Sequence, residues 1–571
     1  MKQHLFMVLL GLSLGMIRPA STLAQTYRNP ILPGGYPDPS ITYDGEYYYM
    51  VNSSFELFPG LPIHRSNDLV NWEAIGHGLH RDEQISSAVN LVSVQENGGI
   101  HAPTIRYHNG LFYLITTNIY TPIDPKEPTE FVNFILTAEN PAGPWSMPHV
   151  IDRAPGIDPD IFFDSDGRVY FVGTHDIGDS EKNGIGEIWI QELDLETWSL
   201  VGKRHSLWRG ACGGESVEGP HLYRRNGYYY LMVAEGGTGL NHAVMIAVSD
   251  SIFGPYLSNP RNPILTARHL SSNNWVNCVG HADFTQIEDG RWYMVALGRR
   301  NIEDGTSPMG RETFLMPMVW EDATITWQET SPGKWEPLVR SFPVIAPETG
   351  RVEPINPLPF ANRPQINRGT FEDSFTPTAL RKEWTFRRGP RDTHYSLTAR
   401  RGALRLYTTP EKIAPRTGYN TVGIRQTQED FEWTAALHFN PENRGEEAGI
   451  VLIQGDENYQ LFTLEKSGRG VLLQLKSRNG PKEKLVLSAE QPAYAGTAQL
   501  RVTRANGTLH YAISLDDGES FLPFTSISGA HLLCKDYVGA QIGMYASSNG
   551  NMESTGFADF LEVHYRCSVW P

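Results

Sequence analysis

The chain has 571 residues, of which 40% are hydrophobic and 20% are charged, and its formal net charge is −16. This length exceeds a single hydrophobic core, so two or more domains are expected, and the acidic balance disfavours nucleic acids and anionic membranes as partners. The 54 glycines, 39 prolines and 11% aromatic residues favour many short strands and tight turns over helices.

The first 24 residues have the pattern of a secretory signal peptide. Lys2 begins a short basic region, and residues 5–16 form an apolar run that is too short to span a bilayer. Thr22, Leu23 and Ala24 occupy the usual cleavage positions, and no cysteine follows them to carry a lipid anchor. We therefore predict cleavage after Ala24 and export to the periplasm or the extracellular space, with no membrane insertion.

One short pattern recurs five times between residues 37 and 295, and it consists of a small motif, an apolar strand, a turn with glycine and an aromatic-rich strand. The five copies read PDPSITYDGEYYYM, APTIRYHNGLFYLI, DPDIFFDSDGRVYFV, GPHLYRRNGYYYLMV and HADFTQIEDGRWYMV. Each is a β-hairpin by its alternation and its turn. When the copies are aligned, their first positions are Asp38, Ala102, Asp158, Gly219 and His281.

The spacing of these copies predicts an architecture. They are separated by roughly 60 residues, which suits four-stranded blades with long loops. A second aromatic marker recurs late in each unit, at Trp72, Trp145, Trp198, Tyr256 and Trp327. We therefore predict a five-bladed β-propeller over residues 25–350, in which the aligned positions meet at one mouth of the central channel.

The remainder of the chain changes character. Residues 354–364 (PINPLPFANRP) are rich in proline and lack periodicity, which indicates a linker over residues 351–368. Beyond it, alternating segments such as AGIVLIQGDENYQLFTLEK and AQLRVTRANGTLHYAIS predict an antiparallel β-sandwich over residues 369–571. Neither half shows a helix signature, so the expected fold class is all-β.

Four cysteines are few for an exported protein, and no C-x-x-C zinc pattern occurs. Cys212 and Cys278 fall in the first half and Cys534 and Cys567 in the second. One disulfide bridge per half and free buried thiols are both compatible with this distribution.

Three acidic residues are candidates for chemistry at the channel mouth. Asp38 and Asp158 occupy the shared position of the repeat, and Glu218 immediately precedes it in the fourth copy. A lone Asp-Pro is commonly a turn opener, but equivalence by repeat favours a shared pocket. Like charges buried together raise the pKa of at least one carboxyl group, which then serves as an acid.

Glycoside hydrolysis needs such a set, because one carboxylic acid protonates the leaving group while one carboxylate activates water or attacks the sugar. Glu218 is the predicted acid and Asp38 the predicted base, and Asp158 would orient Glu218 and hold up its pKa. Carboxylates on different blades could stand roughly 6.5–9.5 Å apart, which implies inversion of configuration.

The chain resembles glycoside hydrolase family 43, of the β-xylosidase and α-L-arabinofuranosidase type with a C-terminal concanavalin-like sandwich (a jelly roll). The resemblance spans most of residues 29–315 in the family's order. It rests on NPILPGGYPDPSI, SSFELFPGLPIHRSNDLVNW, GGIHAPTIRYHNGLFYL, GIDPDIFFDSDG, EGPHLYRRNGYYYLMVAEGGT, GHAD and GRETFL. The sandwich matches more weakly, through AGIVLI and IGMYAS.

This resemblance implies the same roles for the three acids: Asp38 as general base, Asp158 as pKa modulator and Glu218 as general acid. It also implies a blind pocket for exo-cleavage of one terminal sugar. The sandwich would lend an aromatic side chain to the rim of that pocket, but nothing in the sequence selects which one.

Three further positions acquire roles by the same resemblance. Arg311 matches an arginine that contacts sugar hydroxyls, and Phe55 matches an aromatic pocket wall. His281 matches a channel histidine that in some relatives binds a central calcium through its water shell; no cofactor is otherwise required. The residues alone also allow simpler interpretations. Arg311 could equally well form a surface ion pair with Glu312. Phe55 could be an aromatic residue of the core, and His281 could have a structural role.

His101 departs from the family pattern. Many β-xylosidases of this type have Trp-Ala-Pro where this chain has His101-Ala102-Pro103. A tryptophan gives a flat apolar wall for a xylose ring, whereas histidine is smaller and polar. The sequence therefore supports arabinofuranose at least as well as xylose as the terminal sugar of the substrate.

The resulting hypothesis is an inverting, exo-acting hydrolase that releases terminal α-L-arabinofuranose or β-D-xylose from hemicellulose side chains or oligosaccharides. A catalytically silent carbohydrate-binding propeller is the alternative, and retention of all three acids argues against it. A retaining propeller enzyme acting on fructans or sialosides would place its nucleophile in another motif or carry repeated Asp-box turns, and neither pattern is present.

Overall fold

The computed structural model describes residues 25–176, 186–213, 215–303, 305–366, 369–389, 392–534 and 537–568. Within these ranges the regular structure is β-strand apart from two short 3₁₀ helices, Asp82–Gln84 and Ala530–Leu532. The all-β prediction is therefore confirmed. A search of the same ranges finds no helix with the length and apolar character of a membrane span. The predicted signal peptide lies outside the described residues.

The strands of the first half occur mainly as consecutive antiparallel hairpins. They are β1 (Thr26–Arg28), β2 (Ser40–Tyr43), β3 (Tyr48–Val51), β4 (Leu57–Phe58), β5 (Gly60–Ser66), β6 (Glu73–Leu79), β7 (Gly99–His108), β8 (Leu111–Tyr120), β9 (Glu130–Ala138), β10 (His149–Val150), β11 (Ile157–Phe163), β12 (Val169–Asp176), β13 (Gly186–Asp194), β14 (Ser199–Trp208), β15 (Glu218–Arg225), β16 (Tyr228–Glu235), β17 (Ala243–Ser249), β18 (Leu257–Ser258), β19 (Leu265–Thr266), β20 (Val276–Gln286), β21 (Trp292–Arg300), β22 (Glu312–Ser331) and β23 (Lys334–Ile345).

Apart from β1 and β4, these strands form five sheets that follow one another in the sequence. Their strand orders are β2-β3-β5-β6, β7-β8-β9-β10, β11-β12-β13-β14, β15-β16-β17-β18 with β19 also on β17, and β20-β21-β22-β23. The first strands of consecutive sheets contact each other, and β20 of the fifth sheet contacts β2 of the first. The five first strands therefore form a closed ring.

The hydrophobic core of the first half follows the same order. Consecutive sheets share buried apolar clusters, and one cluster joins the fifth sheet to the first, where Val295 and Tyr293 pack with Met50 and Tyr48. The tryptophan marker of the fifth copy departs from this pattern. Trp327 is 59% exposed because it lies where β22 and β23 continue beyond the sheet as a two-stranded ribbon.

The five aligned positions of the repeat share an unusual backbone conformation. The φ angles of Asp38, Ala102, Asp158, Gly219 and His281 are 51°, 34°, 54°, 57° and 41°. In the second to fifth sheets a break in strand register accompanies this residue. Left-handed conformations of non-glycine residues are costly and cluster at functional sites. The five copies of the repeat thus share a local backbone geometry as well as a sequence pattern.

The second half contains two packed antiparallel sheets. The strands are β24 (Ile355–Pro357), β25 (Thr370–Asp373), β26 (Phe386–Arg387), β27 (Tyr395–Ser396), β28 (Leu404–Tyr407), β29 (Thr421–Arg425), β30 (Phe431–Phe439), β31 (Glu447–Gly455), β32 (Asn458–Ser467), β33 (Gly470–Asn479), β34 (Glu483–Glu490), β35 (Thr497–Ala505), β36 (Thr508–Ser514), β37 (Leu522–Ser528), β38 (Gln541–Ser547) and β39 (Phe557–Cys567).

One sheet has the order β27-β28-β39-β30-β35-β36-β37 with β25 on β39, and the other has the order β29-β38-β31-β32-β33-β34. Alternate residues of β30 are buried, as expected for a strand with one face on the core. Trp433 and Trp384 lie in that core with ring centroids 6.2 Å apart. The four cysteines, all of which lie in the described ranges, are free, so the alternative of one disulfide per half is not realised.

The two halves are joined by paired strands and by buried charges. Strand β24, which falls in the predicted linker, pairs with β1, and β26 pairs with β4, which begins two residues after Phe55. The carboxylate of Glu56 pairs with Arg387, and both side chains are fully buried. Buried ion pairs gain little net stability, but breaking one is costly, so this contact favours one fixed arrangement of the halves.

Candidate active site

Asp38 lies just before β2 and is 5% exposed. Its Oδ2 accepts a hydrogen bond of 2.6 Å from Ser53 Oγ, and its Oδ1 lies 3.4 Å from Arg311 Nη1 and 3.7 Å from His281 Nδ1. Burial alone would raise the pKa of Asp38, but Arg311, His281 and the Ser53 hydroxyl outweigh it and hold that pKa below its ordinary value. Asp38 is therefore ionised, as a general base requires.

Glu218 begins β15 and remains partly exposed. Removal from bulk water and the negative charge of Asp38 raise the pKa of Glu218 to about 7, although Arg311 opposes the shift. The side chain therefore keeps its proton at mildly acidic pH. Glu218 has the protonation state of a general acid, opposite to that of Asp38.

Asp158 lies on β11 and is 6% exposed. Its Oδ2 accepts a hydrogen bond of 3.1 Å from the backbone N–H of Gly219, the residue that follows Glu218. Burial, with the charges of Glu218 and Asp38, raises the pKa of Asp158. This contact fixes the chain at Glu218, and the two acids oppose each other's ionisation.

Gly219, the residue after Glu218, lies against the ring of His281 and has no room for a side chain. A Cβ added to Gly219 would lie 2.8 Å from Cε1 of the His281 ring, and the glycine has a φ of 57°. Any other residue would displace the histidine or the strand that carries Glu218. The fourth copy of the repeat therefore has its acid one position before the shared position.

Phe55, His101 and Tyr537 form an aromatic group beside the carboxylates. The rings of Phe55 and Tyr537 are stacked with centroids 5.5 Å apart, and His101 meets Phe55 edge-on at 4.8 Å. His101 Nδ1 lies 3.0 Å from the carbonyl oxygen of Gly99, and burial lowers the pKa of His101 to about 4. The imidazole is thus neutral and held in place by its own strand.

Arg311 joins this aromatic group to the acids. Its guanidinium carbon lies 4.5 Å from the ring centroid of Tyr537 and 5.6 Å from that of Phe55, while Nη1 faces Asp38. The side chain is buried, so the surface ion pair with Glu312 that the sequence left open is not formed. Glu312 instead pairs with Arg300.

Tyr537 is an aromatic side chain of the C-terminal half that lies beside Phe55 and Arg311, and the sequence did not single it out. Two backbone contacts flank it: Ser307 and Cys534 exchange hydrogen bonds, and the N–H of Ala540 donates to the carbonyl oxygen of Pro308 at 2.7 Å. The loop that carries Tyr537 is thereby fixed to the segment that leads to Arg311. No motif in the sequence marks this loop, because the contacts join distant parts of the chain.

Within the part of the chain that the structure describes, the residues around His281 offer no set of direct ligands to a calcium ion, and binding of calcium by His281 through a water shell stays a prediction. Among the described residues, no group of three or more histidine, cysteine or acidic side chains could hold a metal ion. The acidic groups that lie deeper along the same strands, Asp160 and Asp283, are paired with Arg106 at 3.0 and 2.9 Å. His281 itself faces Asp38.

The sequence matches two family models. The model described as "Glycosyl hydrolases family 43" matches residues 27–325, and the model described as "Beta xylosidase C-terminal Concanavalin A-like domain" matches residues 372–566. Together they account for both halves of the described structure.

Curated relatives match over nearly the whole chain. A xylosidase/arabinosidase of Butyrivibrio fibrisolvens is 38% identical over 542 residues, which cover 93% of this chain and 98% of the relative. A non-reducing end α-L-arabinofuranosidase of Bacteroides ovatus is 35% identical over 568 residues, which cover 99% of this chain and 98% of the relative.

Solved structures show the same similarity. A family 43 protein of Bacillus licheniformis superposes with a TM-score of 0.83 at 29% identity and covers 95% of this chain and 100% of its own. The GH43B protein of the Bacteroides ovatus xyloglucan PUL superposes with a TM-score of 0.81 at 33% identity and the same coverage.

Proposed function

The chain belongs to glycosyl hydrolase family 43, and we propose that it removes terminal α-L-arabinofuranose, β-D-xylose or both from hemicellulose by inversion. The observation that carries this proposal is the opposite protonation of two neighbouring carboxyl groups. The pKa of Asp38 is lowered by Arg311 and His281 in spite of burial, while the pKa of Glu218 is raised by burial. A base and an acid in one site are what glycoside hydrolysis requires.

We infer that the five sheets are the blades of a five-bladed propeller over residues 25–350, with a linker at residues 351–368 and the sandwich at residues 369–571. The closed ring of first strands and the shared cores between consecutive sheets support this arrangement. The acids then lie at one mouth of the central channel, each brought there by the first strand of a different blade.

In the proposed reaction, a water molecule attacks the anomeric carbon while Asp38 accepts one of its protons. Glu218 donates its proton to the glycosidic oxygen, the bond between that oxygen and the anomeric carbon breaks, and the released sugar has inverted configuration. Asp158 accepts a hydrogen bond from the N–H of Gly219 and so holds the chain at Glu218, whose charge in turn raises the pKa of Asp158. Protons then return to solvent and to Glu218, and the site is restored.

Arg311 and the aromatic group would bind the terminal sugar. The guanidinium donates hydrogen bonds to ring hydroxyls, and Phe55, His101 and Tyr537 contact the apolar face of the sugar. Tyr537 closes one side of the site, which supports attack on chain ends rather than on internal bonds. The neutral His101 in place of the family's tryptophan supports the acceptance of arabinofuranose, in keeping with the names of the relatives from Butyrivibrio fibrisolvens and Bacteroides ovatus.

A panel of aryl glycosides tests the proposal. We expect release of the aryl group from an α-L-arabinofuranoside, a β-D-xyloside or both, and NMR of the xyloside reaction should show α-xylose as the first-formed anomer. First formation of β-xylose would overturn inversion. Binding of arabinose or xylose without turnover of any glycoside would favour the silent carbohydrate-binding propeller instead.

We also propose that the enzyme is exported. The basic start, the apolar run over residues 5–16 and the small residues before Gln25 support cleavage of a signal peptide. Mass spectrometry of the protein recovered from the periplasm or the medium should give a chain that begins at Gln25. An uncleaved, cell-retained chain would contradict export.

A further inference from the structure

A second layer of polar side chains lies beneath the carboxylates. The residues that follow the aligned positions by two lie on the five first strands, which contact one another around the ring. These residues are Ser40, Thr104, Asp160, His221 and Asp283, one on the first strand of each sheet. Most of them meet the side chain of a single arginine.

Arg106, on β7 of the second sheet, contacts the other four sheets. Nη2 lies 3.0 Å from Asp160 Oδ1 on β11 and donates to His221 Nδ1 on β15 at 3.0 Å. Nη1 donates to Asp283 Oδ2 on β20 at 2.9 Å and to Ser40 Oγ on β2 at 3.3 Å. One guanidinium therefore joins all five first strands.

The partners of Arg106 are tied to each other as well. Asp283 accepts hydrogen bonds from Ser40 Oγ at 2.8 Å and from the hydroxyl of Tyr223 at 2.5 Å. Asp160 accepts one from the backbone N–H of Leu222 at 2.9 Å. The acidic side chains are 0% and 1% exposed, so their charges depend on the guanidinium for compensation.

We propose that Arg106 is a positioning residue for the hydrolytic reaction, because its guanidinium sets the spacing of the strands that carry Asp38, Asp158 and Glu218. Ser40 and Asp160 follow Asp38 and Asp158 by two residues, and His221 follows Glu218 by three. A shift of any of these strands moves an acid relative to the sugar. The proposal rests on the function proposed above.

The planar fork of arginine is essential to this role. It presents several N–H groups in fixed directions, whereas lysine places one compact charge and cannot hold partners on four strands together. A displacement of about 1 Å from productive geometry can cost about 10²-fold in rate. Arg106→Lys should keep a positive charge beside the buried carboxylates but should no longer hold the first strands at a fixed spacing.

The test compares Arg106→Lys with Arg405→Lys in the full chain. Arg405 is a matched control, because its side chain is 18% exposed against 16% for Arg106 and it pairs at 2.7 Å with Asp559, which is 2% exposed in the sandwich. For Arg106→Lys we expect kcat on an aryl glycoside to fall about 10- to 100-fold, with little change in KM and a shifted alkaline limb in the pH profile. Arg405→Lys should change the melting temperature alone.

Ser40→Ala provides a milder second variant if Arg106→Lys does not fold. It removes the hydrogen bonds of Ser40 Oγ with Asp283, Arg106 and the backbone N–H of Ile105, so we expect a lower melting temperature together with a fall in kcat of about 2- to 10-fold. Wild-type kcat and pH profile in the folded variants would overturn the positioning role. Absence of turnover by the wild-type enzyme would instead overturn the proposed function, and the positioning role with it.

Discussion

The ring of Tyr537, from the C-terminal half, stacks on the ring of Phe55, from the N-terminal half, with centroids 5.5 Å apart and planes inclined by 23°. The guanidinium carbon of Arg311 lies 4.5 Å from the Tyr537 ring centroid, and its Nη1 lies 3.4 Å from Asp38 Oδ1. The sandwich therefore contributes a side chain to the candidate site. Removing that side chain should weaken the binding of the sugar there.

Tyr537→Ala should lower kcat/KM on aryl glycosides by about tenfold, mainly through KM. Aromatic pairs contribute about 0.5–1.5 kcal/mol beyond the area they bury, and the variant also removes a cation–π partner of Arg311. Tyr537→Phe should retain most activity because it keeps the stacked ring. Phe521→Ala is the control, since Phe521 lies under Arg501 on the sandwich. Unchanged kinetics of Tyr537→Ala would show that the stack plays no part in substrate binding.

The contrast between Tyr537 and the carboxylates shows which site residues could be predicted from the sequence. Asp38 and Asp158 share a repeated local pattern and nearly the same φ angle, 51° and 54°, so the repeat itself located them. Tyr537 lies at the site because Cys534 and Ala540 make backbone contacts with residues 307–308, and Arg106 is held by side-chain contacts with four other sheets. Neither arrangement leaves a periodic signal, because long-range packing decides it.

Asp38→Asn and Glu218→Gln should each lower turnover by about 10²–10⁴, the usual contribution of general acid–base catalysis. The Glu218 variant must be assayed with a poor leaving group, since an activated phenol departs without protonation. Asp164→Asn is the control, because Asp164 is also buried but pairs with Arg224 and Tyr229 outside the site. Rates within a few-fold of wild type for either site variant would rule out its assigned role.

The pH profile of kcat/KM should be bell-shaped with its alkaline limb near pH 7. Activity needs Glu218 protonated, so it is lost as pH rises through the pKa of about 7 that burial and Asp38 give this group. Activity also needs Asp38 ionised, so the acid limb lies below the ordinary range of aspartate. With an activated leaving group the alkaline limb should weaken. An alkaline limb near pH 4.3, the ordinary pKa of glutamate, would contradict the assignment of Glu218.

His101→Trp should shift preference from the arabinofuranoside towards the xyloside by several-fold in kcat/KM. The imidazole meets Phe55 edge-on at 4.8 Å, and a larger apolar ring in its place would offer a flat surface to a pyranose and narrow the space for a furanose. His108→Trp is the matched control, because His108 lies at the other end of β7 and stacks on Phe163 at 4.2 Å. Because both variants introduce the same side chain on the same strand, a general effect of the larger ring on folding would appear in both. A change confined to His101→Trp would assign sugar preference to this position, and an unchanged ratio of the two activities would place that preference elsewhere in the pocket.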